Sequence, residues 1–173
     1  MRMIISLLFI MIIDVFVDGS SINNGKRNCQ AGYGVFFPQA DYLNISQKIN
    51  EKELKVSNNV AEIIACIRAI EISKDIFDDL ETLRIFSDSE YMINCVTKWC
   101  ETWKKNNWVK YDKKPIKNLE LIKKLYDYYL EYPIVLIHVR SHQSMPTKES
   151  KEYYYWYGNN CADFLAKKSI IVF

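Results

Sequence analysis

The chain lacks the cysteine and histidine patterns that mark proteins stabilised by zinc or by disulfides. Among its 173 residues are two histidines and five cysteines, with no C-x-x-C pair and no paired histidine spacing. A structural zinc site and a disulfide framework are therefore both disfavoured. We interpret most of the cysteines as small core residues in a reducing compartment, which predicts an intracellular protein of the cytoplasm or nucleus, in a cell or a virus-infected host. The five are Cys29, Cys66, Cys95, Cys100 and Cys161.

The sequence also lacks a strong charge imbalance and a long apolar segment. The formal net charge is +2, which is too mild by itself to indicate a nucleic-acid partner. The apolar run Met3–Ile13 follows Arg2 and imitates a signal peptide, but no small-residue cleavage site follows it and it is too short to span a membrane. We interpret this run as the extended start of the first strand, with a targeting segment over residues 1–12 as the alternative.

The composition is that of one globular domain. Hydrophobic residues make up 49% and charged residues 25% of the chain, which argues against disorder. A chain of 173 residues is long enough to bury a sizeable core. Because we find no internal repeat, low-complexity tract or second-domain boundary, we predict a single domain over residues 1–173.

The stretch Ile12–Ser20, IIDVFVDGS, predicts a buried or half-buried strand that ends in Asp-Gly-Ser. Asp18 lies at the exit of this strand, where a rigid backbone can hold a carboxylate for a cation or for general base catalysis. An Asp-Gly pair is more often only a turn, so the case for Asp18 depends on further acids in comparable settings. Two strands, Gly32–Phe37 and Tyr42–Ile49, would complete an antiparallel meander.

Two of those further acids follow in the middle of the chain. The segment from Ser57 to Ser73 predicts a helix with Ser57 or Asn58 as its N-cap, and Glu62 falls in its first turns. Asp88 follows a strand over Leu83–Ser87, and we expect that strand to be parallel to the first, which brings Asp88 to the same edge of the sheet as Asp18. Both acids also have a purely structural interpretation. Glu62 could be a carboxylate favoured by the helix dipole, and Asp88 could be the N-cap of the next helix.

The segment from Lys98 to Lys124 is the most basic part of the chain. It holds nine lysines against three acids, with tryptophans and a tyrosine among them. Lysines neutralise phosphates and aromatic rings stack on bases or sugars, so the pattern favours a nucleic-acid face. A basic helical hairpin with core tryptophans is the alternative. Asn118 then introduces a helix over Leu119–Tyr132.

The C-terminal third carries both histidines. We predict a fifth strand within IVLIHVRSH, with His138 packed inside it and His142 just beyond its end. The stretch Gln143–Tyr157 shows no clear period, and we interpret it as a long loop. A last helix is expected to begin after Gly158, with Asp163 in its first turns.

Six segments, taken together and in order, resemble ribonuclease H of type 1, the cellular and viral family that cuts the RNA of an RNA–DNA hybrid. The segments are VFVDGSS, SNNVAEIIACIRAIE, IFSDSEYMINCVTKWCETWKKNNW, PIKN, IHVRSH and GNNCADFLA. Each motif alone is weak, but six at the right spacing are highly specific. The resemblance implies an α/β ribonuclease H-like fold, with a five-stranded mixed sheet of order 3-2-1-4-5 flanked by helices and a core over about residues 13–168.

The resemblance also implies a catalytic centre. The family's four metal-binding carboxylates correspond to Asp18, Glu62, Asp88 and Asp163, and its loop histidine corresponds to His142. Two Mg²⁺ ions about 3.5–4 Å apart, for which Mn²⁺ can substitute, would activate a water and stabilise the departing 3′ oxygen. Asp18 would bridge both ions and His142 would assist proton movement or product release. The expected products carry 5′-phosphate and 3′-hydroxyl ends.

Substrate contacts follow from the same resemblance. Asn24, Asn58 and Asn59 match family positions that touch the minor groove of the hybrid, and Lys55, Ser57 and Asn118 match the pocket that binds a DNA phosphate. Tyr91 and Trp99 match the aromatic residues of the DNA channel. The segment with Trp103, Lys104, Lys105 and Trp108 matches a basic protrusion that clamps the hybrid. The expected partner is an RNA–DNA hybrid, with no membrane, no obligate protein partner and a monomeric chain.

One departure from the family pattern leaves alternatives open. The stretch Gln143–Tyr157 is about ten residues longer than the usual loop, which puts the placement of His142 in doubt and could add a lid or a partner contact. A catalytically weak hybrid-binding or RNA-binding module is therefore an alternative. Against it, a site that no longer catalyses a reaction has no physical reason to keep four mutually repelling carboxylates together. The ribonuclease H portion of a retroelement polyprotein is a further alternative.

Overall fold

The computed structural model describes residues 11–50 and 55–171, and its centre is a five-stranded mixed sheet. Residues 1–10, which contain most of the apolar run, lie outside the described residues. The strand order is β3-β2-β1-β4-β5, as the resemblance implied. The strands are β1 (Met11–Ile22), β2 (Gln30–Phe36), β3 (Ile45–Lys48), β4 (Leu80–Ser87) and β5 (Ile134–His138).

The sheet combines a meander with two parallel steps. The first three strands pair antiparallel, whereas β4 pairs parallel to β1 and β5 parallel to β4. Helical segments connect β3 to β4 and β4 to β5, and a last helix follows β5. They are α1 (Asn58–Ile76), α2 (Glu90–Asn94), a π-helical turn (Cys95–Trp99), α3 (Cys100–Lys105), α4 (Leu119–Glu131) and α5 (Lys151–Ile170).

The central strand β1 is covered on both faces, which explains why its sequence is a continuous apolar run rather than an alternating one. Val15 and Val17 belong to the larger core, which the buried residues of α1 also form. Phe16 points to the opposite face and packs with Phe86 and Ala162 of α5. The sheet is therefore the middle of three layers, with α1 on one face and α5 on the other.

The start of α1 follows the predicted capping. Ser57 is the N-cap, and its hydroxyl accepts a 3.3 Å hydrogen bond from the backbone N–H of Val60. Asp88, in contrast, is not an N-cap. The cap of α2 is Ser89, whose hydroxyl accepts a 3.3 Å hydrogen bond from the N–H of Met92. The Asp88 carboxylate is thereby left available for another role.

The predicted loop over Gln143–Tyr157 is wrong in its second half. Helix α5 begins at Lys151, with Ser150 as its cap, so Asp163 lies in the middle of the helix rather than in its first turns. Tyr154 packs edge-on to Phe16 with ring centroids 5.5 Å apart, and Tyr155 lies 5.5 Å from the ring of Phe86. The aromatic run lacks a visible period because rings on several sides of the helix find partners, which conceals the buried stripe.

The prediction for His138 is also wrong. This histidine ends β5, the edge strand of the sheet, and its side chain is exposed rather than packed. Edge strands are covered less completely than central ones, so an apolar run does not ensure burial of each side chain. All five cysteines are free, and no helix within the described ranges is long and apolar enough to cross a membrane.

Candidate active site

Three carboxylates from three different elements meet at one end of the sheet. Asp18, Glu62 and Asp88 each offer an oxygen, and the three oxygens lie within 4.8 Å of one another. Asp18 lies within β1 and Asp88 directly follows β4, so the parallel pairing of these strands brings the two acids together. The predicted end of the first strand at Asp18 is wrong, because pairing with β2 continues the strand to Ile22, but the pairing with β4 stops at Phe16. Glu62 comes from the second turn of α1, which crosses β1 at Gly19. Hard oxygen ligands clustered in this way are those that Mg²⁺ prefers.

Asp163 of α5 reaches the same site from the opposite face of the sheet. Its carboxylate interacts with that of Asp18, both by charge and by a side-chain hydrogen bond. Its Oδ2 also lies 2.7 Å from Nζ of Lys167, one turn further along α5. The structure thus brings all four predicted acids into one cleft, with Asp163 at its margin.

The closeness of these acids alters their proton affinity. Burial, followed by the charges of Asp88 and Asp163, raises the pKa of Asp18 from its ordinary 3.8 to about 8. Burial and the charges of Asp18 and Asp88 also raise the pKa of Glu62 well above its usual range. Without a cation, the site favours protons over several adjacent negative charges.

Glu62 supplies a further indication that a cation belongs here. Its Oε2 is buried and finds no hydrogen-bond partner within residues 11–50 and 55–171. A buried polar atom without a partner is costly, and a metal ion would remove that cost. The residues of the site therefore fit a divalent cation.

His142 lines the same cleft as the four acids. The cleft has a volume of about 430 Å³ and also includes Ser21, Asn58 and Tyr91 from the surrounding elements. The backbone at His142 is left-handed, with φ of 53°, and its side chain is exposed. The longer loop has therefore not removed this histidine from the acidic cleft.

The predicted minor-groove residues gather beside the cleft. Oδ1 of Asn24, in the β1–β2 connection, accepts a 3.2 Å hydrogen bond from the backbone N–H of Asn58 at the start of α1. The Asn58 side chain in turn accepts a 3.4 Å hydrogen bond from the hydroxyl of Ser21. Asn59 and Lys55 are exposed nearby in the chain, and Ser57 caps α1. The contacts fix Asn24 and Asn58 next to one another.

The predicted channel aromatics are adjacent as well. Tyr91 and Trp99 meet edge-on, with ring centroids 6.2 Å apart, and Trp99 is the last residue of the π-helical turn Cys95–Trp99. Such turns insert an extra residue into a helix and so change which side chains share a face. The Tyr91 hydroxyl also interacts with the side chain of Asn118. Trp99 is 38% exposed, so part of its ring is open to a ligand.

The basic segment combines both interpretations made from the sequence. Trp103 and Trp108 are partly buried against the core, and Trp108 packs edge-on to Tyr126 with centroids 6.3 Å apart, as the alternative of packed tryptophans required. Lys104 and Lys105 are exposed, and Lys105 forms a 2.7 Å ion pair with Glu101. The lysines, rather than these two tryptophans, form the outer surface.

Sequence reasoning missed Lys167 and the contacts that hold the start of α5. Lys167 lies four residues after Asp163, the spacing at which an acid and a lysine pair on a helix, so that signal was present in the sequence. The contact between Tyr154 and Asp14 joins residues 140 positions apart, and no local pattern indicates it.

Comparisons with known proteins agree with this geometry. A family model described as RNase H matches residues 12–171. A ribonuclease H of Schizosaccharomyces pombe is 37% identical over 89% of this chain, which spans about half (51%) of that relative's length. A ribonuclease H of Clostridium botulinum is 29% identical, over 90% of this chain and 93% of the relative. The solution structure of the prototype foamy virus RNase H domain superposes with a TM-score of 0.65 at 25% identity, covering 91% of this chain and 93% of that domain. The chain belongs to the ribonuclease H family.

Proposed function

We propose that this chain is an endoribonuclease that hydrolyses the RNA strand of RNA–DNA hybrids and leaves 5′-phosphate and 3′-hydroxyl ends. The observation that carries the proposal is the meeting of Asp18, Glu62 and Asp88 within 4.8 Å of one another. Asp163 and His142 line the same cleft. Family membership supplies the reaction class, and the cleft supplies the groups that this reaction needs.

The donor set supports a divalent-cation enzyme. Asp18, Glu62, Asp88 and Asp163 would hold the metal, which we propose to be two Mg²⁺ ions. When bound, the ions supply activation of the attacking water and stabilisation of the charge on the departing oxygen. The orphaned Oε2 of Glu62 and the raised pKa of Asp18 are the observations that support this role, because a cation would give the buried oxygen a partner and would offset the burial and the neighbouring charges that raise this pKa.

The protein side chains would then orient the reacting groups. Asp18 lies on the central strand β1, and its carboxylate interacts with those of Asp88, Asp163 and Glu62. Such placement keeps the carboxylates fixed without reorganisation during the reaction. His142, at the cleft margin, would accept or donate a proton at the attacking water or the leaving group.

Discrimination of RNA from DNA would come from sugars and shape. Asn24 and Asn58 lie side by side at the cleft and can bond to 2′-hydroxyls in the minor groove. Tyr91 and Trp99 would pack against a deoxyribose, which lacks that hydroxyl. Lys104 and Lys105 are exposed and would contact backbone phosphates, so we expect little preference for base sequence.

A cleavage assay tests the proposal. The parent chain and Asp88→Asn are incubated in Mg²⁺ with labelled RNA–DNA hybrid, duplex RNA and duplex DNA, and the ends of the products are analysed. We expect the parent to cut only the hybrid, and the variant to cut none of the three substrates. Tight hybrid binding by both chains with no cutting by either would reject the enzyme in favour of a binding module.

A further inference from the structure

The chain segment that carries His142 has few attachments to the rest of the fold. Among the described residues, a single hydrogen bond joins the segment 140–146 to another element of the fold. The donor is Nε1 of Trp156 on α5, and the acceptor is the backbone carbonyl of Gln143, at 3.1 Å. Gln143 directly follows His142. The position of the histidine therefore depends on a residue that the sequence pattern assigned to a loop.

Trp156 is well suited to hold that segment. It lies in the second turn of the 20-residue helix α5, and its ring rests on Tyr153 with centroids 5.7 Å apart. It also lines an apolar cavity of about 610 Å³ together with Met145 and Lys148, which belong to the His142 loop. Both the indole N–H and the indole ring thus face this loop.

The first turns of α5 are themselves fixed to the sheet. The Tyr154 hydroxyl donates a 2.6 Å hydrogen bond to Oδ2 of Asp14, which is only 2% exposed. Arg84 holds the same carboxylate through two nitrogens, at 2.6 and 2.7 Å. Asp14 lies on β1, four residues before Asp18. The strand that carries the central catalytic carboxylate therefore also determines where Trp156 lies.

We infer that Trp156 is a positioning residue that sets His142 over the acidic cleft through its hydrogen bond to the Gln143 carbonyl. The inference rests on the proposed function, because it concerns the histidine of that reaction. Removal of the bond would let the His142 loop leave its working position more often, while the carboxylates and the hybrid contacts stay intact. The loss would therefore appear in kcat, with KM for the hybrid nearly unchanged.

A double-mutant cycle tests the inference. Hybrid cleavage is measured for the parent, Trp156→Phe, His142→Ala and the double variant, with Tyr155→Phe as a matched control on the same helix. One lost hydrogen bond predicts a fall in kcat of about threefold to tenfold for Trp156→Phe. In the His142→Ala background, Trp156→Phe should have no further effect, since the histidine it positions is absent.

A second variant separates the hydrogen bond from the ring. Trp156→benzothienylalanine keeps the shape of the indole and replaces its N–H by sulfur, so it should reproduce the fall in kcat without loss of folding. Parent kinetics in that variant, or an undiminished effect of Trp156→Phe when His142 is absent, would overturn the inference alone. A parent chain that cuts no hybrid would overturn the proposed function and this inference with it.

Discussion

Gly19 lies so close to Glu62 that a β-carbon on it would be 2.5 Å from the backbone nitrogen of Glu62 and 2.8 Å from the carbonyl carbon of Ala61. Strand β1 and helix α1 can approach this closely only because residue 19 has no side chain. Asp18 and Glu62 flank this contact, and their carboxylates meet as a result. The cluster of carboxylates therefore depends on a residue that has no side chain.

Gly19→Ala should separate α1 from β1 and weaken both folding and cation binding. The backbone atoms it would meet cannot rotate away, so we expect a loss of about 1–3 kcal/mol in the free energy of unfolding. Urea unfolding and Mg²⁺ titration measure the two effects. Gly25→Asn, in the exposed β1–β2 connection with open space around it, is the control and should leave cation binding unchanged. Parent-like values for Gly19→Ala would contradict this account.

The stability of the metal-free protein should fall as the pH rises from about 4 to about 8. Asp18 has a pKa of about 8 in the folded chain and an ordinary value of 3.8 when unfolded, so the folded state binds more protons between these limits. Thermal melts in a chelator across this interval measure the slope. Asp18→Asn removes one titrating group and one cause of the raised pKa of Glu62, so it should make the slope shallower. A metal-free parent that becomes more stable from pH 5 to pH 8 would refute this prediction.

Addition of Mg²⁺ should reverse that loss near neutral pH. A cation at 100 times its Kd stabilises the folded state by about 2.7 kcal/mol, and protons compete with it at low pH, so the rise in Tm should be larger at pH 7.5 than at pH 5. Asp88→Asn should lose most of the effect. Asp127→Asn, an exposed acid on α4, is the control and should keep it. Equal shifts in the two variants would place the cation elsewhere.

Trp99→Ala should weaken binding of the hybrid more than it slows the chemical step. The ring is partly open and lies beside Tyr91, and loss of one stacked aromatic costs about 1–3 kcal/mol of binding. KM should therefore rise by about fivefold to a hundredfold, with a small change in kcat. Tyr42→Ala removes a ring that is exposed before β3 and should leave both constants unchanged. A fall in kcat alone for Trp99→Ala would argue against a role in binding.

Asp14→Ala should destabilise the protein more than Tyr154→Phe does. The first change leaves both Arg84 and the Tyr154 hydroxyl without their partner, at a cost of about 2 kcal/mol because Arg84 remains partly solvated. The second change removes one hydrogen bond, at about 1 kcal/mol. Chemical denaturation gives both values. A larger loss of stability for Tyr154→Phe than for Asp14→Ala would show that the Tyr154 hydroxyl, rather than Arg84, compensates for burial of the Asp14 carboxylate.

Part of the candidate site was predictable from local patterns, and the resemblance to ribonuclease H supplied the rest. The apolar residues before Asp18 and Asp88 predict the two strands, and the parallel pairing of these strands brings the two acids to one edge of the sheet. The place of Ser57 and Asn58 before an apolar stripe predicts one of them as the helix cap, and Ser57 is that cap. The resemblance places His142 in the site even though the stretch after it is longer than the usual loop of the family, and His142 does line the cleft.

The start of α5 shows why the remainder could not be predicted. Local propensity does not decide whether Tyr153–Tyr157 forms helix or loop, because aromatic residues have only weak helical preference. The surface formed by Phe16 and Phe86 provides the partner that makes this helix favourable. That surface comes from β1 and β4, far away in the sequence.

The sequence by itself determined most of the strands and helices, because apolar periodicity and capping residues are local signals. The order of the strands and the four acids of the cleft followed from the resemblance of six sequence segments to ribonuclease H. Only the tertiary structure decided where α5 begins, that His138 is exposed, and that Trp156 holds the loop after His142. Those features arise from packing between distant segments. Their free energy comes from surfaces that exist only once the sheet has formed.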